Sequence, residues 1–308
     1  MADLGRGWQC HISSFAEHRF RELVVLPRCS PSRRALLLSQ SGGAASAWLR
    51  ALPSETALRM RPTRTLTAVR RRLRWCVPLS RGTRCRGCQK ELGFIGDRAA
   101  ACGMSGRIKL RSRPLEKMWA RVLREAGARV RENMMLRDTG VPGIDPNDGR
   151  RIDVVATGLP LAHGRPVAVD ATLISPLHAD GSPWSGAERT PGISFQRALS
   201  DKHRTYPELT DSDVVQLVVA ATETGGRLSA GALELLDAAA QGKAQDEPPV
   251  LRQQAARSWR ARWQTLLGVA AQDALAATLL QEGTLLLDAA AGQEPTSIDV
   301  WLDGAALQ

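Results

Sequence analysis

The sequence predicts an α/β protein, a small mixed β-sheet flanked by helices, behind a basic and mainly helical N-terminal segment. Three observations predict it. Ile152-Asp153-Val154-Val155 and Val167-Ala168-Val169-Asp170 are short runs of strand type with Gly and Pro between them. Residues 214–220 form a third apolar run. The stretches that follow Pro114, Ser229 and Pro248 carry apolar residues at helical spacing. With 308 residues and 43% hydrophobic content, the chain can bury one large core or two modest ones, which excludes a fibre or a disordered tail.

Residues 1–40 read as a poorly patterned leader. Residues 41–106 read as a basic connector, with one or two short helices around Trp48 and the arginine-rich stretch to Ser80, feeding a cysteine segment. There Cys85-Arg86-Gly87-Cys88 and, past Gly96-Asp97-Arg98, Cys102 can offer three thiolates to a tetrahedral Zn²⁺. A fourth ligand is missing. The segment reads either as a zinc site completed by His203 or water, or as a decayed site held by packing.

Residues 107–285 read as the α/β domain and residues 286–308 as a C-terminal tail. Leu115, Met118, Trp119, Val122, Leu123 and Ala126 make one apolar stripe, and Gly127 closes that helix. Glu116 falls outside the stripe. It is either an acid of the site or a solvated first-turn glutamate that suits the helix dipole.

The two Asp-bearing segments are joined by residues 158–166, which carry the Gly and Pro punctuation of a hairpin connection. Adjacent antiparallel strands would bring Asp153 and Asp170 together. Lys202 follows after a loop over residues 181–192, and another loop over residues 140–149 precedes the site. Residues 213–222 read as a further buried strand and residues 230–241 as a helix. Residues 249–281 read as a long helix with Trp259, Trp263, Leu266, Leu267, Ala270 and Ala274 on one face.

Two carboxylates on neighbouring strands followed by a lysine are the groups a metal-dependent nuclease needs. Carboxylate oxygens hold Mg²⁺ or Mn²⁺ without filling the coordination shell. A lysine adds a compact charge beside the phosphate. The chain holds 37 Arg and only 5 Lys, so a lysine at this place invites a specific reason. The competing reading is that the aspartates merely form turns and caps.

Charge is uneven. Residues 1–150 hold 30 Lys plus Arg against 12 Asp plus Glu, a net of +18, whereas residues 151–308 hold 12 against 19, a net of −7. The first half therefore reads as the part that faces nucleic acid. All six cysteines (Cys10, Cys29, Cys76, Cys85, Cys88 and Cys102) fall in the first third, unlike a secreted disulfide framework, and fit a reducing compartment. Neither a signal peptide nor a membrane-spanning apolar run is present, so a soluble protein without a membrane partner is expected.

Several motifs carry a resemblance. They are residues 150–155, Ala168-Val169-Asp170-Ala171-Thr172-Leu173-Ile174-Ser175-Pro176, Lys202 with Tyr206-Pro207-Glu208-Leu209, and residues 218–226. Together they resemble the restriction-like endonuclease region downstream of the reverse transcriptase in non-LTR retrotransposon polyproteins. The resemblance covers roughly residues 40–285 and is strongest over residues 107–227.

That family implies a PD-(D/E)xK fold with Asp153 and Asp170 as metal-binding carboxylates and Lys202 as the catalytic lysine. It also implies Glu116 as an accessory acid and Tyr206 either at the phosphate backbone or as a buried anchor. Thr172 stands where the short D-x-K form would place lysine. In the related elements the cysteine segment looks like a zinc knuckle with histidine where this chain has Arg98, which cannot ligate a metal.

The expected function is nicking of target DNA to expose a 3′-hydroxyl for primed reverse transcription, with a nuclear location following from the DNA target. One alternative is an inactive remnant that only binds element RNA or target DNA. Another is a purely structural domain. No polymerase motif is visible on this chain.

Overall fold

The computed structural model describes residues 8–78, 82–159 and 164–281. Four strands form one mixed sheet in the order β1-β2-β3-β4. The first three, β1 (Arg129–Met135), β2 (Arg151–Thr157) and β3 (Val167–Ile174), run antiparallel. β4 (Gln216–Glu223) lies parallel to β3 along eight residue pairs. The expected strands are all present. β1 was not expected, because Arg129-Val130-Arg131-Glu132-Asn133 has little apolar alternation; it is an edge strand, where charge discourages pairing with another chain. Residues 160–163 of the connection between β2 and β3 lie outside the described residues, as does the tail expected at residues 286–308.

Nine α-helices are present among the described residues: α1 (Trp8–Phe20), α2 (Pro31–Ser39), α3 (Pro62–Arg72), α4 (Asp97–Ala101), α5 (Ser105–Glu125), α6 (Ser194–Thr205), α7 (Pro207–Thr210), α8 (Ala230–Lys243) and α9 (Arg252–Leu279). α5 and α8 pack on one face of the sheet over Val154, Val167, Val169 and Ala171. α6 and α7 close the other face, where Ile152, Val155 and Ala168 meet Tyr206 and Leu209. The region read as a leader is helical: Ala35 and Leu36 of α2 bury against Leu177 and Ala187.

α9 does not have one apolar face, as its spacing suggests. Every residue from Thr265 to Leu279 is buried, because α5 and α8 cover one side while Trp48, Leu58 and Ala68 cover another. Gly268 permits that cover, since a Cβ there would lie 3.3 Å from Trp48. Residues 41–78 and the α/β region thus share one core, with no break in packing at residue 106.

This arrangement also uses up part of the N-terminal positive charge. Arg64 pairs with Asp273 of α9 at 2.5 Å, and both are buried. Arg71 and Arg74 hold Asp97 at 2.9 and 2.7 Å. The +18 balance is therefore not all surface available to nucleic acid.

The helix expected after Pro114 begins nine residues earlier, at Ser105. Its first turns are anchored by Arg111, 5% exposed, which donates to the carbonyls of Ala99 (3.1 Å), Ala100 and Cys102 (2.8 Å). Gly225 and Gly226 end the motif after β4 because the chain passes against Ser39 and Ala45. A Cβ on Gly225 would meet Ser39 Oγ at 2.2 Å.

Glu125 joins the layers. It accepts from Trp263 Nε1 at 2.9 Å and from Arg121 at 2.8 Å, and it pairs with Arg262 at 3.3 Å, which also binds Glu55 at 2.6 Å. Glu125→Ala should cost about 1–3 kcal/mol, since it removes the acceptor of the buried Trp263 Nε1 and one of the two carboxylates that hold Arg262. Urea unfolding of the variant checks this, and an unchanged midpoint refutes it.

Candidate functional site

β2 pairs with β3 only from Val154–Val169 to Ala156–Val167, and beyond Val154 the two strands diverge. At the fork, Asp153 Oδ2 accepts the Ala171 N–H at 2.9 Å, where a β2 carbonyl would otherwise sit. The alternation of β2 also breaks here: Ile152 packs with the α6–α7 face and Val154 with the α5 face. On the other side, pairing to β1 skips from Glu132–Val154 to Met134–Ile152, and the intervening Asn133 has φ +51°. Asp153 is thus freed from the regular pleat by the end of β2–β3 pairing on one side and the distortion of β1 on the other.

Asp170 keeps the alternation of β3. Its neighbours Val169 and Ala171 face α5, so its carboxylate, 1% exposed, turns towards α6. There Lys202 Nζ lies 2.8 Å from both Asp170 oxygens. Lys202 reaches the site from a helix, not from the strand position that Thr172 occupies.

Tyr206 is 6% exposed and donates its hydroxyl to the Arg151 carbonyl at 2.7 Å. It is a buried strut beside Asp170, as in the anchor reading of this residue, and with its hydroxyl committed inside the core it does not take the alternative role at a phosphate backbone. Glu116 stands on α5 and accepts from Ser112 Oγ at 2.7 Å.

A cleft of about 600 Å³ opens here, lined by Glu116, Asp153, Thr172 and Lys202 among others. Asp170 lies behind Lys202, away from the lining. Three predicted acids and the predicted lysine are therefore brought to one place, with only two of the acids facing the cleft. Burial, followed by the charges of Asp170 and Glu116, pushes the Asp153 carboxyl up to about 8. Burial also raises Asp170, against the lowering effect of Lys202, and raises Glu116.

A carboxyl raised from 3.8 to about 8 binds its proton in the folded chain while the unfolded chain has lost it. Folding stability from this group therefore declines as pH rises between those values. In EDTA, the melting temperature of Asp153→Asn relative to wild type should increase from pH 5 to pH 8. A difference that stays flat over that range refutes the assignment.

The cysteine segment forms a tight turn. The Cys85 N–H donates to the Lys90 carbonyl and the Gln89 N–H to the Cys85 carbonyl, both at 2.8 Å, with Gln89 at φ +58°. α4 then delivers Cys102, and the three sulfurs lie within 4.8 Å of one another. This group could hold a metal ion such as zinc.

Among the described residues it is the one group of three or more metal-type side chains that meets so closely. The carboxylates of the cleft are more widely spread. His203, partly exposed on α6, is not a member. A Lys90 backbone hydrogen bond lowers the Cys88 thiol to about 7 against the effect of burial, with further hydrogen bonds from Arg98, Cys85 and Cys102. Burial raises Cys102. Arg98 also donates to the Ala179 carbonyl at 3.1 Å.

Co²⁺ added to metal-free protein should give a thiolate charge-transfer band that Cys102→Ser weakens and Arg98→His strengthens. A spectrum unaffected by either change rules out metal at this cluster.

Sequence reading missed several residues around the cleft: Ser112, Asn133 and Arg151. The spacing of Ser112 to Glu116, one helical turn, was a readable signal. Asn133 gave none, because its strand was not recognised. Compared with family models, curated proteins and solved structures, the chain matches none of them. Among the described residues no helix is long and apolar enough to cross a membrane.

Proposed function

We propose that the chain is a retrotransposon-type, divalent-metal-dependent DNA endonuclease with a restriction-endonuclease-like core, nicking target DNA to prime reverse transcription. The observation that carries this reading is the meeting of Asp153, Glu116 and the Asp170–Lys202 pair at one open cleft. Asp153 and Glu116 face the cleft and would hold Mg²⁺ or Mn²⁺, whereas Asp170, expected as the second metal-binding carboxylate, has both oxygens on Lys202 behind the lining. The hard oxygen donors of Asp153 and Glu116 suit such ions. When bound, the cation supplies positive charge beside the scissile phosphate.

The residues of the chain do the rest. Asp170 fixes Lys202 by contact with both oxygens, so the ammonium is held before substrate arrives. Held there, it can offset charge that grows on the phosphate oxygens or orient the attacking water. Tyr206 ties Arg151 of β2 to the end of α6 and so keeps the Lys202 helix in register with the fork.

A second reading, a binding module without nuclease activity, is favoured by the wide spacing of the cleft carboxylates and by Arg98 in the cysteine cluster.

Asp153→Asn and Lys202→Met should each lower Mg²⁺-dependent nicking of supercoiled plasmid by about a hundredfold or more, while DNA binding in EDTA persists. A wild-type protein that binds DNA but never nicks it with Mg²⁺ or Mn²⁺ would leave the binding module as the correct account.

A further inference from the structure

Of the groups that no step above uses, the most informative stand on the first turns of α5. Lys109 and Arg113 line the same cleft as Glu116 and Asp153, as do Ile108 and Arg151. With Lys202 the cleft carries four cationic side chains around two facing carboxylates. A site built only to hold a cation would not ring it with positive charge. A site that takes a polyanion with its counter-cation would.

Lys109 and Arg113 are four residues apart on one helix, so they share a face about 6 Å apart along the axis. Both are exposed and neither pairs with an acid in an ion pair of the described residues, unlike Arg111 between them, which is buried on backbone carbonyls. Between the two cations stands Ser112, already committed to Glu116. Ile108, 42% exposed, adds an apolar surface beside Lys109. Cations in series with an adjacent apolar contact suit a strand that presents phosphates outside and sugar and base faces beside them. A single phosphate would use only one end of such a row.

We propose that the first three turns of α5 form the strand-binding wall of the cleft, with Lys109 and Arg113 contacting successive backbone phosphates of the strand whose scissile phosphate sits at Lys202. The proposal rests on the nuclease reading for the identity of the scissile phosphate, and its own claim is that the ligand is a nucleic-acid strand.

The test is duplex-oligonucleotide binding by fluorescence anisotropy, in EDTA, over a series of KCl concentrations, for wild type and for Lys109→Ala/Arg113→Ala. Both changes are on exposed side chains, and matched thermal melts confirm folding. The double variant should bind more weakly, and its log K against log salt slope should be shallower by about two.

An unchanged slope overturns the proposal, and so does a wild-type protein with no measurable affinity. Inorganic phosphate binding that depends equally on both residues overturns the strand as ligand. If the slope shifts but wild type never nicks DNA with either metal, the wall stands and the nuclease reading falls. If wild type nicks and the slope is unchanged, the reverse holds.

Discussion

Where β2 turns away from β3, the Ala171 N–H loses its strand partner, and the Asp153 carboxylate receives it instead. An unpaired buried N–H would cost on the order of 1–3 kcal/mol, so this bond stabilises the fork as well as fixing the acid. The rest of the cleft follows from it. Were the strands paired to their ends, Asp153 would return to the pleat and no space would open beside Glu116. Because β3 instead pairs fully with β4, Asp170 stays in strict alternation and meets Lys202 on the far face. One strand supplies order and its neighbour supplies disorder of register, and the cleft lies at their junction.

Behind the sheet, the helical layer is held by charge as much as by apolar contact. α9 is buried along most of its length, yet it carries Arg262 and Asp273 inside. Their partners come from distant parts of the chain: Glu55 and Arg64 before the cysteine segment, and Glu125 at the end of α5. Buried pairs of this kind add little net stability over apolar side chains, but an incorrect docking would strand a charge. They therefore select one docking of the N-terminal segment on α9. The same constraint places Glu125, and hence the helix that carries Glu116, at a fixed depth over the sheet.

Strong periodicity was legible in the sequence. The strands around Asp153 and Asp170 and the run at residues 216–223 form sheet, and the long C-terminal helix is present. Less could be read where structure depends on distant partners. The start of α5 is set by Arg111 reaching carbonyls of α4, which no local pattern announces. The all-round burial of α9 depends on Trp48, more than 200 residues earlier in the chain. Of the site, residue types and their order were readable, but exposure was not. Asp170 proved to be buried, and Asn133 entered the cleft through a strand whose polar composition hid it.

Arg111 has a further consequence for motion. Its guanidinium holds carbonyls on both sides of the turn that delivers Cys102, while its own helix carries Ser112 and Glu116 into the cleft. Opening either piece alone would bare buried polar groups on the other. The cysteine segment and the first turns of α5 therefore form one cooperative unit for local unfolding, whose backbone amides share a common opening free energy in hydrogen exchange.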